Sequence, residues 1–153
     1  MTARLNPYTG AYAPLVQPLI DYGRTIVKRL EPKLAHLVEI HASQINGCAI
    51  CLHMHAGDAR KIGESEERIR LLNAWRETPL YTARERAALA WTEALTRLSE
   101  TKAPDEDYQT LKSVFTEEEQ VNLTLLIGVI NSFNKLGVGF RLPPLGLPAQ
   151  KAA

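Results

Sequence analysis

Cys48 and Cys51 are the only cysteines in the chain, and His55 follows four positions after the second, in the run Gly47-Cys48-Ala49-Ile50-Cys51-Leu52-His53-Met54-His55. On a helix, positions i, i+3 and i+7 share a face. The spacing therefore predicts two sulfurs and one imidazole along one side of a single helix. Asn46-Gly47 reads as a chain break that puts the pair in a first turn. A helix N-terminus offers partial positive charge and free N–H groups, which favour thiolate over thiol. The pattern describes a dithiol with its own base.

Four readings compete for this pair. A thioredoxin-type CxxC would follow a strand in a β-α-β unit, and no alternating strand pattern is present. A zinc site could use Cys48, Cys51 and His55, but a structural site needs a fourth ligand, which only His36 or His41 of the preceding helix could supply, because His53 falls on another face. A redox-active dithiol could reduce a small oxidant and close to a disulfide. Two inert thiols could simply fill the core. A histidine on the cysteine face makes coincidence a poor account, so the redox dithiol is the reading adopted here, ahead of zinc and of inert packing.

The other polar candidates have plainer expectations. His41 occupies an apolar stripe and is expected to be a hydrogen-bonded core residue, whereas His53 is expected at the surface. Glu39 lies three residues beyond His36, close enough to pair with it, but a solvated glutamate is the default for a helix position. Trp75 and Trp91 are expected in the core or at a subunit contact. Asn131 and Asn134, inside an apolar helix, are expected to satisfy buried polar groups rather than do chemistry.

Helical periodicity must position these residues, and it runs the whole length of the chain. A first helix is predicted from Leu15 to near Glu31-Pro32. A second carries Leu34, Leu37, Val38, His41, Ala42 and Ile45 and closes at Asn46-Gly47. The third runs from the cysteines towards Lys61, with Gly63 as its stop. Ser65-Glu66-Glu67 opens a fourth through Trp75, ended by Thr78-Pro79. Thr82-Ala83-Arg84-Glu85 and Thr116-Glu117-Glu118-Glu119 have the form of capping boxes and open further helices. Between them, Pro104 followed by three acids starts another. The last, apolar helix is predicted over 117–136, and the Pro-rich tail, 141–153, is expected to lie as an extended arm. The fold class is all-α, a single domain over 1–153.

A chain of 153 residues can bury a real core. Its 45% apolar and 23% charged content is ordinary for a globular protein. A net charge of +1 without a basic block argues against nucleic acid as a partner. The N-terminal residues lack the apolar stretch of an export signal, so a cytoplasmic location is expected. The run Val121 to Phe133 carries Asn122, Thr124, Asn131 and Ser132. It reads as a buried helix rather than a bilayer span.

Together these residues resemble a known family. The stretch from Ala42 to His55 is similar to the core of the alkylhydroperoxidase D-like proteins, within the carboxymuconolactone decarboxylase superfamily. The similarity continues through Asp58-Ala59-Arg60-Lys61, Leu72 to Thr78 and Thr82 to Glu93, covering about residues 30 to 100, with a weaker echo at Asn131-Ser132-Phe133-Asn134. The resemblance implies an all-helical subunit assembled into trimers or hexamers, and a thiol peroxidase without metal or other cofactor. It assigns peroxide attack to Cys51, resolution to Cys48 and proton relay to His55. The family pattern has a glutamate twelve residues before the first cysteine, and His36 stands there. A histidine can relay protons near neutral pH, so His36 is carried as a site residue.

The function expected is reduction of a hydroperoxide, with an external thiol or dithiol reopening the disulfide. The alternatives are a redox sensor or zinc-binding module on the same scaffold, or a decarboxylating lyase, although lyases of the superfamily typically lack the CxxC pair.

Overall fold

Prolines, glycines and two Thr-x-x-Glu boxes cut the chain into helices, and the computed structural model, which describes residues 2–146, shows where each cut falls. A short 3-10 turn, Gly10–Tyr12, leads into α1 (Ala13–Val27). Then follow α2 (Pro32–Asn46), α3 (Ala49–Lys61), α4 (Glu66–Leu71) with a 3-10 continuation over Leu72–Glu77, α5 (Ala83–Thr96), α6 (Leu98–Thr101), α7 (Asp105–Val114) and α8 (Glu117–Gly139). No strand occurs among the described residues, so the fold is all-α.

Both capping boxes are formed. Thr82 accepts from the Glu85 backbone N–H and Thr116 from that of Glu119, and each glutamate reaches back to the cap. Pro32 starts α2 at its first turn, where a missing N–H costs nothing. Three departures from the expected elements have physical causes. The first helix stops at Val27, and four non-helical residues, 28–31, lead from it to Pro32. The fourth loses α-geometry at Leu72 and kinks at Ala74, whose φ/ψ of −113°/29° is non-helical. The last helix continues past Leu136 to Gly139. Of the tail, Leu142 is buried and donates its N–H to the Gly137 carbonyl at 2.9 Å, while 147–153 lie outside the described residues.

α2 is the central element and packs against α3, α5 and α8. One side of it, with Leu34, Ala35 and Val38, joins Trp91, Leu123, Leu126 and Ile127 in one cluster. Another side, with Leu37 and Ile40, joins Leu72, Trp75 and Leu89 in a second. A helix flanked on both sides has no solvated face along its middle, so even its polar residues Glu39, His41 and Ser43 are buried.

α8 has 23 residues and a mean hydropathy of 1.3 over its best window, long and apolar enough by those measures to cross a membrane. The helix is longer than the run Val121 to Phe133 read as a buried helix from the sequence. Its packing against α1, α2, α3, α5 and α7, with three glutamates in its first turn, makes it a core helix of this bundle.

A candidate dithiol site at the α2–α3 hairpin

The turn between α2 and α3 consists of Gly47 and Cys48 alone. Gly47 has φ = +66°, the left-handed conformation that glycine adopts without a Cβ clash. Its N–H donates to the Gln44 carbonyl at 3.2 Å, and the Cys48 N–H to the Ser43 carbonyl at 2.9 Å. This pair of bonds is a Schellman closure that satisfies the end of α2. Cys48 is then the N-cap of α3 with extended backbone, rather than a member of its face, and Cys51 lies in the first turn. The two sulfurs form a disulfide. Cys48 is 1% exposed and Cys51 5%, so both residues are buried.

α8 closes over the pair. A Cβ at Gly137 would lie 2.6 Å from the Cys48 sulfur and 3.1 Å from Cγ2 of Ile50, so glycine is what lets the helix come this near. Asn46 donates to Oδ1 of both Asn131 and Asn134 at 2.8 Å, and Asn134 donates to the Ser43 hydroxyl at 3.0 Å. These amides tie α8 to the end of α2, as expected for buried polar residues that brace backbone.

On the other side of the turn, α2 and α3 run back along each other and bring Glu39 between two imidazoles. His36 Nδ1 is 3.1 Å and His55 Nδ1 is 3.0 Å from the same oxygen, Glu39 Oε2. Burial alone would push the Glu39 carboxyl up; the hydrogen bonds and charges of His36 and His55 more than reverse this and hold it down at about 2. Glu39 is therefore a buried anion, not the solvated glutamate expected. It was missed because one glutamate on a helix carries no pattern. A usable signal existed, since Glu39 and His55 each stand eight positions from Gly47, and residues equidistant from a tight helical turn face each other.

The remaining histidines are elsewhere. His41 is buried and its Nε2 lies 2.9 Å from Glu93 Oε1, which also accepts from Trp75 Nε1 at 2.9 Å; Arg76 binds the other oxygen. Burial pushes Glu93 up, and His41, Trp75 and Arg76 outweigh it, leaving it at about 2. His41 is thus committed to a hydrogen bond with Glu93 in the core and is not a fourth ligand beside the cysteines. His53 is exposed, as expected. With both sulfurs in the disulfide, the four-ligand zinc arrangement is not the one the hairpin presents.

Fold and site together define an all-helical protein with a CxxC disulfide at a helix N-terminus and a carboxylate-bridged histidine pair behind it. Residues 15–94 match the model of the carboxymuconolactone decarboxylase family, and the chain belongs to that family and its alkylhydroperoxidase D-like branch. An uncharacterized Bacillus subtilis protein, YdfG, is 44% identical over 102 residues, which are 67% of this chain and 69% of that one. The crystal structure of ATU0492 from Agrobacterium tumefaciens, a protein of unknown function suggested to be the antioxidant defence protein AhpD, superposes with a TM-score of 0.87 at 40% identity, covering 97% of this chain and all of that one. An uncharacterized peroxidase-related protein from Silicibacter sp. TM1040 shares the fold, with a TM-score of 0.68 at 24% identity over 76% of this chain and 61% of the other.

Proposed function

We propose that the protein is a thiol-dependent peroxidase that reduces hydroperoxides through a Cys48–Cys51 dithiol/disulfide cycle. The observation that carries this reading is the disulfide at the N-terminus of α3 with His55 one turn beyond Cys51, backed by the buried anion of Glu39. In the reduced protein, the unpaired N–H groups of the first turn favour the Cys51 thiolate. That thiolate attacks the distal peroxide oxygen and the O–O bond breaks. Cys51 becomes a sulfenic acid, and the alkoxide leaves as alcohol after taking a proton from His55. The Cys48 sulfur then attacks the Cys51 sulfur, the S–O bond breaks, and water leaves. An external thiol or dithiol reductant returns two electrons by thiol–disulfide exchange, reopening the Cys48–Cys51 bond.

Glu39 and His36 complete the relay. The family glutamate twelve residues before Cys48 is replaced by His36, and Glu39 supplies a carboxylate three residues later, between His36 and His55. A carboxylate therefore stands beside the motif histidine, three residues further along α2 than the family position. Assembly into homo-oligomers and a cytoplasmic location belong to the same reading. The expected result for purified, reduced protein is turnover of an alkyl hydroperoxide with a dithiol reductant. Cys51→Ser abolishes it, and Cys48→Ser stalls at the sulfenic acid, which a sulfenate-specific label detects. A sensor would instead oxidise once without turnover.

A further inference from the structure

Two imidazole nitrogens and one carboxylate oxygen meet at the α2–α3 hairpin, and none of them belongs to a cysteine. His36 Nδ1 and His55 Nδ1 lie 3.1 and 3.0 Å from Glu39 Oε2, and the three donor atoms all fall within 4.8 Å of one another. We propose that His36, Glu39 and His55 form a binding site for a divalent transition-metal ion, zinc foremost, with solvent completing its coordination.

Ligands held at about 2.0–2.2 Å from one ion stand roughly 3 Å from each other, so both short edges of this triangle already have coordination-sphere dimensions. Two imidazoles with one carboxylate suit zinc and its first-row neighbours. Magnesium and calcium prefer sites built of oxygen. The Glu39 carboxylate lies between the two imidazoles. Among the described residues its ion-pair partners are His36 and His55 only, with no lysine or arginine. A buried carboxylate in that position is balanced when an imidazole takes up a proton or when a cation arrives. An ion that meets all three lone pairs does this in one step, each imidazole then carrying its proton on Nε2.

Access and rigidity also favour the site. The three side chains are 18%, 11% and 12% exposed, shielded from bulk water yet open to an ion and its solvent ligand. The Schellman closure and the disulfide fix how α2 and α3 lie, so the donors do not have to be gathered from a mobile chain. Because no sulfur takes part, binding is available to the disulfide form. The site uses the side chains that the peroxidase reading assigns to the relay, so ion and relay compete for them, but binding to the disulfide form is measured without any peroxide turnover.

Calorimetric titration of the oxidised, EDTA-stripped protein with zinc chloride tests this. The expected result is one zinc per chain, with affinity reduced by roughly tenfold or more in Glu39→Gln and in His36→Gln, and unchanged in His53→Gln, which alters an exposed histidine. Cobalt(II) should give visible ligand-field bands in wild type and His53→Gln and none in His36→Gln, while magnesium chloride should give no binding heat. Circular dichroism confirms that each variant is folded, and His36→Gln decides the matter should Glu39→Gln unfold. Absence of stoichiometric zinc binding to the wild type, or equal affinity in His36→Gln, overturns the proposal.

Discussion

Glu39 is the residue through which the two histidines of the hairpin communicate, and its substitution separates the possible roles of the site. Replacing it with glutamine keeps the shape but removes the anion that orients His55. If the relay works as proposed, Glu39→Gln slows peroxide-driven oxidation of Cys51 by roughly a hundredfold, the lower end of what a positioned acid–base group contributes. Stopped-flow measurement of tryptophan fluorescence or thiol loss gives that rate. The same carboxyl and that of Glu93 tie stability to pH. Both are held at about 2 in the folded chain, against an ordinary value of 4.5. A depressed carboxyl contributes stability that is fully present above its unfolded value and is lost as pH falls through the folded one. Urea midpoints should therefore be level above about pH 5 and decline towards pH 2, and the decline should be shallower in Glu93→Gln than in wild type.

At the scale of the elements, two glycines position the disulfide for different reasons, and they should fail differently. Gly47 has open space where a Cβ would go but a φ of +66°, so Gly47→Ala pays only in backbone conformation, about 1–2 kcal/mol. Gly137 has the opposite problem, with the Cys48 sulfur 2.6 Å from the would-be Cβ. Gly137→Ala must push α8 off the α3 N-terminus, at about 1–3 kcal/mol. Chemical denaturation measures both losses, and near-UV dichroism should register the second, through displaced packing, but not the first. The helix boundaries were legible because caps, prolines and glycines act locally: Thr82, Thr116, Pro32 and Gly47 each do what their type predicts. The kink at Ala74 and the short α6 were not legible, since both depend on how neighbouring helices meet. Cys51 and His55 were readable as neighbours on α3 from their spacing, whereas Cys48, expected on the same face, caps that helix. Gly137 was not readable, because it gains its role only when a second helix is laid against it, and Glu39 was legible only through its equal spacing with His55 about Gly47.

For the whole molecule, the proposed assembly rests on apolar side chains that the single chain leaves uncovered. Leu15 of α1 is 78% exposed and Val121 of α8 57%, with Tyr22 and Leu125 also exposed on these two contacting helices and Tyr12 on the turn before α1. Light scattering at micromolar concentration should report a trimer or hexamer, and a monomer would contradict the assembly. The central claim concerns the two sulfurs, and thiol titration tests it most directly. Fully reduced protein should show two titratable thiols per chain, and after one equivalent of alkyl hydroperoxide it should show none, with a mass two hydrogens lighter within the peptide that contains Cys48 and Cys51. Cys51→Ser should keep its single thiol under the same treatment. If both thiols of the wild type survive the peroxide, or if Cys51→Ser loses its thiol as fast as the wild type does, Cys51 is not the peroxide-attacking residue and the dithiol cycle proposed here is wrong.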